Sequence, residues 1–410
     1  MQVGGDRSLG GHADAILDPC RSPRAPGKRP RILLAHDWLC GFRGGEAVLE
    51  RLIALAERMG EVAGLVTMFD DRRPLAPGVD RLRSRGLVRG SWVSRVPGGP
   101  GRLRRWLLPL YPRAVEHLGR VVASIHAREP IDLVISVSAA AIKGLAPPPG
   151  VPHLCYCNGP ARYVWSRAED YRGGLRGAGL RLMGERFRRW DLRTAANVTR
   201  FLGNSTHIAA EVERCYGRDA AVAFPPVRTG YFTVDASVRR AGFWLYAGAI
   251  EPYKRVDLAL AAAAHAGVRL VVAGEGSMLA SLNGGGGGGP EARGGAEFLG
   301  RVSDERLREL YRSASVLVFP QVEDFGIVAV EAQACGLPVV ARRAGGAMDT
   351  VIDGVTGTLV EDPTPAAIAD AARACAALDP LACRRNAERF GEAAFDATME
   401  RHIAAALGAS

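Results

Sequence analysis

The stretch QVEDFGIVAVEAQACGLPVVA, residues 321–341, sets two glutamates eight positions apart. Glu323 stands beside an expected helix start near Phe325. Glu331 sits among Val328, Ala329, Val330, Ala332 and Ala334. Burying a carboxylate is costly unless something pairs with it. Spacing alone leaves two readings: Glu331 faces solvent, or it faces a cleft in which a ligand compensates its burial.

The surroundings narrow the choice. SVLVFP, just before this stretch, reads as a strand, so Gln321 to Asp324 form the loop at its C-terminal end. The following helix presents free backbone N–H groups and the positive end of its dipole, a place for sugar hydroxyls or phosphate oxygens. Glu331 lies within two turns of that end. A carboxylate accepting two hydrogen bonds from a ribose diol has its burial compensated, which gives the spacing a reason.

Working outward, apolar runs alternate with helix-like stretches from Arg31 onward. RILLAHDW (31–38) reads as a strand and EAVLERLIALAERM (46–59) as the amphipathic helix after it. GEVAGLVTMF, IDLVISVS, VPHLCYCN and VTRFLGNS are further strands, each ending in small or polar residues, as in a parallel sheet with function at its C-terminal edge. The pattern breaks at AFPPVRTGYFTVDASVRRAG (223–242), where Pro225 and Pro226 forbid helix. A second alternating series follows, from FWLYAGAI through VRLVVAGEG, AEFLGRV and LPVVARR to TGTLVED. The expected fold class is α/β, with two facing Rossmann-like doubly wound domains and a ligand in the cleft between them. The expected boundaries are a disordered tail over 1–30, a first domain over 31–228, a linker over 229–242, a second domain over 243–385 and a terminal helix over 386–410. The run GGGGGG (284–289) reads as a flexible loop.

Composition agrees with this size and class. A chain of 410 residues exceeds one core's usual extent, and 48% hydrophobic with 23% charged residues is ordinary for a soluble globular protein. No apolar run reaches the length of a membrane-spanning helix, and the N-terminus does not read as a signal peptide. The eight cysteines are scattered. Cys155 and Cys157 form a lone CxC, a weak zinc signal, so the expectation is buried thiols in a reducing cytoplasm and no structural metal.

The net charge of +10 is uneven: residues 81–120 hold ten arginines against Glu116 alone. Seven more arginines lie between Arg172 and Arg193, against Glu185 and Asp191. In GRLRRWLLPLYPRAV (101–115) the arginines adjoin Trp106, Leu107, Leu108, Leu110 and Tyr111. This mix suits an anionic membrane surface or a phosphate-bearing substrate; the alternative is a solvated basic face. No binding module accompanies the charge, so nucleic acid is not expected as a partner.

The order of motifs carries a resemblance. Glu323 and Glu331 match the E-x7-E signature of retaining glycosyltransferases with the GT-B fold, and EDFGIVAVEAQACGLPVVA resembles glycosyltransferase family 4. Within it the likeness is to the mannosyltransferase-like branch of polysaccharide and lipopolysaccharide assembly. HDWLCGFRGGE (36–46), LPLYPRAVE, CYCNGPARYVW (155–165), PYKRVDLAL (252–260), FLGRVSDERLRELY and GGAMDTVIDGVTG are similar to that branch too. The likeness runs from about residue 31 to 365.

It implies transfer of a hexose, mannose in that branch, from a GDP- or UDP-linked donor to a glycan or lipid-linked acceptor. The setting implied is the cytoplasmic face of the membrane, without a further cofactor. By the same resemblance Glu331 holds the donor's ribose, while Glu323 and the N–H groups of Phe325, Gly326 and Ile327 hold the transferred sugar. Lys254 then contacts the diphosphate, whose charge grows as it leaves. Gly274 and Gly276 let backbone approach the nucleotide, or simply form a turn. Arg301 and Val302 fall where the base is held, and Gly44 and Gly45 match the family's glycine-rich loop.

Two departures stand out. Asn158 replaces the usual active-site histidine; an amide donates a hydrogen bond but carries no proton. Ala249 stands where relatives have an arginine, a loss for which Arg255 is the candidate substitute. Asp349 stands where glutamate is more usual. The chain has no D-x-D, so metal-free stabilisation by Lys254 and a helix dipole is the expectation. A competing reading is a catalytically weakened nucleotide-sugar-binding or scaffolding protein.

Overall fold

The computed structural model describes residues 28–408 except 102–103, 163, 166–174 and 283–294. The tail expected over 1–30 lies, but for its last three residues, outside the described residues, as does the run 284–289.

The first domain is built on seven parallel strands: β1 (Arg31–Leu39), β2 (Glu61–Asp70), β3 (Val88–Gly90), β4 (Leu133–Ser138), β5 (His153–Cys157), β6 (Arg200–Gly203) and β7 (Ala220–Val222). Their order is β3-β2-β1-β4-β5-β6-β7. Helices α1 (Gly44–Met59), α2 (Pro77–Ser84), α3 (Tyr111–Arg128), α4 (Leu175–Thr194) and α5 (Thr206–Tyr216) connect them. Every residue of β4 and β5 is buried, as continuous apolar strands covered on both faces must be.

The second domain repeats the plan with β8 (Trp244–Ala247), β9 (Leu270–Ala273), β10 (Ala296–Gly300), β11 (Val316–Phe319), β12 (Val339–Arg342) and β13 (Gly357–Val360). Their order is β10-β9-β8-β11-β12-β13. Its helices are α6 (Val256–Ala266), α7 (Leu279–Leu282), α8 (Asp304–Ser313), α9 (Ile327–Ala334), α10 (Ala347–Thr350), α11 (Pro365–Ala374) and α12 (Pro380–Glu388). The expected doubly wound halves are therefore present, and the fold is GT-B.

Both sheets reverse direction beside their first strand, at β1/β4 and at β8/β11. In such sheets a crevice opens outside the carboxyl ends of the strands at the reversal. The segments leaving β1, β8 and β11 there carry Gly44, Lys254 and Glu323, and Asn158 follows β5, the next strand beyond β4.

The helix expected over Asn386–Leu407 is two helices. Asn386 belongs to α12, and α13 (Glu392–Leu407) begins only after Gly391. Tertiary contacts force the break. The Val227 N–H donates to the Phe390 carbonyl (3.0 Å), and a Cβ on Gly391 would lie 2.7 Å from Thr229 Oγ1. Past the break, α13 returns to the first domain, where Phe395, Met399 and Ile403 join the core of Leu49 and Leu52, and Arg51 pairs with Asp396 at 2.6 Å. Residues 229–242 pack against the second domain, with Phe232 fully buried in its core.

The cysteines among the described residues are free thiols, all buried but Cys40. Among the described residues no helix is long and apolar enough to cross a membrane. The basic segment 81–120 is partly neutralised by acids from elsewhere: Arg81 pairs with Glu57, and Arg83 with Asp70 and Asp80. Arg104 stacks over Trp38. Trp106 nevertheless stands 67% exposed.

Candidate active site

Glu331 is buried, at 8% exposure, which rejects the solvent-facing reading. Its carboxylate accepts one long hydrogen bond, 3.4 Å from the Tyr311 hydroxyl. Burial pushes its pKa up to about 7, a rise that the nearby Arg228 cation tempers and Asp304 reinforces. So poorly compensated a carboxylate is an acceptor awaiting donors. Arg228 pairs with Asp304 at 2.7 Å, at the start of α8. Sequence reasoning missed Arg228, although it lies in the quoted stretch 223–242, two residues after Pro226.

Glu323 lies on the loop after β11, where its Oε1 accepts from Lys254 Nζ and from Gln321 Nε2 (3.0 Å). The two catalytic-type groups that the sequence placed 69 residues apart thus form an ion pair. Lys254 is brought there by a tight turn. Arg255 follows it with φ 51°, a left-handed conformation uncommon outside glycine, and strain of that kind concentrates at functional sites. The Tyr246 hydroxyl secures the same segment by donating to the Ala249 carbonyl (3.0 Å). Arg255 itself pairs with Asp257. Both partners of that pair are largely exposed.

At the start of α9, Gly326 adopts φ 90° to turn the chain into the helix, and a Cβ there would lie 3.0 Å from the Phe319 ring. Phe325 is buried among Phe224 and Phe390. Ile327, rather than Phe325, is the first helical residue. A Cβ on Gly44 would lie 3.1 Å from Ile327 Cδ1, so the first turns of α1 and α9 meet across the cleft. Two further residue pairs join the domains: Arg162 with Asp324, and the Asp349 carboxylate accepting from Thr206 N–H (2.9 Å) and hydroxyl (2.7 Å).

Asn158 lies at the end of β5, its side-chain oxygen accepting from Asn204 Nδ2 at 3.3 Å. A Cβ on Gly45 would meet Asn158 Nδ2 at 3.6 Å and His36 Cε1 at 3.5 Å. His36 and Glu46, inside the quoted HDWLCGFRGGE, were not singled out, yet both are buried beneath Gly45. Arg301 and Val302 follow β10, with Arg301 exposed and Val302 packed on the core.

Gly274 and Gly276 have a reason within the chain itself. A Cβ on Gly274 would lie 1.8 Å from the Gly248 carbonyl oxygen, and one on Gly276 2.2 Å from that of Ile250. These glycines let the loops after β8 and β9 touch, which holds up the Lys254 turn. Gly276→Ala should lower the melting midpoint by ~5–10 °C, read by differential scanning fluorimetry without ligand.

Residues 237–396 match the family model described as glycosyl transferases group 1. D-inositol 3-phosphate glycosyltransferases of Mycobacterium bovis (strain BCG / Pasteur 1173P2) and Mycobacterium tuberculosis (strain H37Ra) are 40% identical over 181 residues, covering 39% of this chain. The chain spans 37% of the length of those relatives. Among solved structures, Anabaena HepE in complex with UDP aligns over 92% of this chain and 100% of its own, with TM-score 0.63 and 16% identity. Sucrose-phosphate synthase from Thermosynechococcus elongatus aligns over 93% and 100%, with TM-score 0.65 and 19% identity. At such identities these structures attest the fold. The segment that carries Lys254, Glu323 and Glu331 thus matches the glycosyl transferases group 1 model, in a chain of GT-B fold.

Proposed function

We propose that the protein is a retaining glycosyltransferase that moves a hexose from a nucleoside-diphosphate sugar to a glycan or lipid-linked acceptor. The observation that carries this reading is the placing of Glu331, buried and with one long hydrogen bond among the described residues, about one turn into the helix that follows the loop of the Lys254–Glu323 pair. A ribose diol supplies what Glu331 lacks. Lys254 and the first turn of α9 offset the charge that grows on the leaving diphosphate, with no step needing a resident metal. Glu323 accepts from hydroxyls of the transferred sugar, and Asn158 donates from the opposite wall. UDP is the first donor nucleotide to test, because HepE was solved with UDP and with UDP-glucose; the family-4 likeness adds GDP-mannose.

With the diphosphate leaving on the face where Lys254 stands, the acceptor hydroxyl attacks from that same face and the anomeric configuration is kept. The experiment is a panel of UDP-, GDP- and ADP-sugars offered with glycan, lipid-linked and inositol-phosphate acceptors, the last taken from the mycobacterial relatives' names. Proton NMR of the product should show the donor's own anomeric configuration, and an inverted linkage would reject the mechanism. Tight donor binding without turnover on any acceptor would favour a binding protein, the reading that Asn158 and Ala249 prompt. The working place is the cytoplasmic membrane face, with Trp106 and the unpaired part of the 81–120 surface against anionic lipid.

A further inference from the structure

His36 Nδ1 lies 3.0 Å from the Val137 carbonyl oxygen. A carbonyl only accepts, so Nδ1 carries a proton. The other nitrogen, Nε2, is buried, has no hydrogen-bond partner among the described residues and faces Glu46 Oε1 at 3.6 Å. Both side chains are 4% exposed. A neutral ring would point a bare lone pair at a buried carboxylate, and two acceptors so placed repel. Protonating Nε2 turns that repulsion into an ion pair.

The other charges nearby are committed elsewhere. Glu46 Oε2 accepts from the Arg43 N–H (3.0 Å), which fixes the entry to α1. Asp37 accepts from the amides of Ala139, Ala140, Ala141 and Ile142. His36 also touches the space beside Gly45 that Asn158 Nδ2 borders from the other side.

We propose that His36 and Glu46 share one proton beneath Gly45, and that His36 is a positioning residue whose imidazolium keeps this wall of the cleft from turning negative. With the proton the pair is neutral overall, and the first turn of α1 meets an anionic ligand unopposed. Without it, a buried carboxylate stands beside the place where the donor's diphosphate leaves. The proposal rests on the glycosyltransferase reading for the ligand's identity, but not for the protonation state.

Two measurements test it on the full chain. In ligand-free protein at pH 7.0, ¹⁵N-histidine NMR should show His36 protonated on both nitrogens, and only on Nδ1 in Glu46→Gln. Inorganic pyrophosphate and UDP should bind about tenfold more weakly to His36→Gln, which strands the Glu46 charge. The double variant His36→Gln/Glu46→Gln, which removes that charge, should recover most of the loss. A purely structural role predicts no recovery. A neutral His36 in the wild-type spectrum, or a double variant as weak as His36→Gln, overturns the proposal. If neither anion binds the wild type, the donor reading fails, and the NMR result still decides the pair.

Discussion

Glu331→Gln is expected to make the ligand-free protein more stable at pH 8 while stripping it of most of its donor affinity. The wild-type carboxyl titrates at about 7 in the fold, above its ordinary 4.5, because burial disfavours its charge. Between those values the native state holds a proton that the unfolded chain has released. Stability therefore falls as pH rises through that window, and the whole penalty is present above pH 7. Glutamine removes the charge, keeps the shape and can still bond to Tyr311, which is worth about 1–3 kcal/mol at pH 8. Near pH 4.5 the gain should vanish, since the wild-type group is then neutral in the fold.

Donor binding moves the other way. A carboxylate accepts both hydrogen bonds of a ribose diol, whereas an amide accepts with only one of its two ends. A loss of about 2–3 kcal/mol, or roughly 30- to 150-fold in affinity, follows. The wild type should also lose affinity as pH falls below 7, because the ionised form is the one that binds, and the variant should not. Thermal melts at pH 5 and pH 8, with and without nucleotide sugar, read all of this. A variant no more stable at pH 8, or one whose melt shifts with donor as the wild type's does, contradicts the assignment.

Breaking the Lys254–Glu323 pair from its two sides should have opposite effects on nucleotide binding. Under the proposed function, Lys254→Met removes the cation that faces the leaving diphosphate. Turnover should drop by about 10²–10³-fold, the cost of removing one preorganised charge from a site where charge develops. Nucleoside-diphosphate affinity should weaken by about tenfold as well. Glu323→Gln frees the lysine, which in the ligand-free protein is bound to the carboxylate that an anionic ligand must displace. That variant should bind the nucleoside diphosphate more tightly than wild type by a few-fold, yet transfer sugar far more slowly, because an acceptor for the sugar's hydroxyls is gone. Both residues are partly exposed, so neither substitution should shift the melting midpoint much. Calorimetric Kd values for the nucleotide, set beside kcat, separate these effects. Equal weakening of nucleotide binding in both variants would mean that the pair is structural.

What the sequence settled by itself is what local pattern and spacing encode. Continuous apolar strands ending in polar residues, alternating with amphipathic helices on either side of Pro225 and Pro226, specify two parallel α/β halves. A glutamate inside an apolar helix next to a strand end singled out a carboxylate that the fold buries. What depends on residues distant in sequence needed the tertiary structure. Only packing shows that Arg81 and Arg83 meet Glu57 and Asp70, so that a run counted as basic is partly neutral. Only packing shows where the terminal helix splits, with the Val227 N–H bonded to the Phe390 carbonyl and Gly391 set too close to Thr229 for any side chain. The orientation of Arg255 toward Asp257, and the meeting of His36 with Glu46 beneath Gly45, likewise follow from where turns aim side chains. Charge and burial are properties of neighbourhoods, and neighbourhoods exist only once the chain has folded.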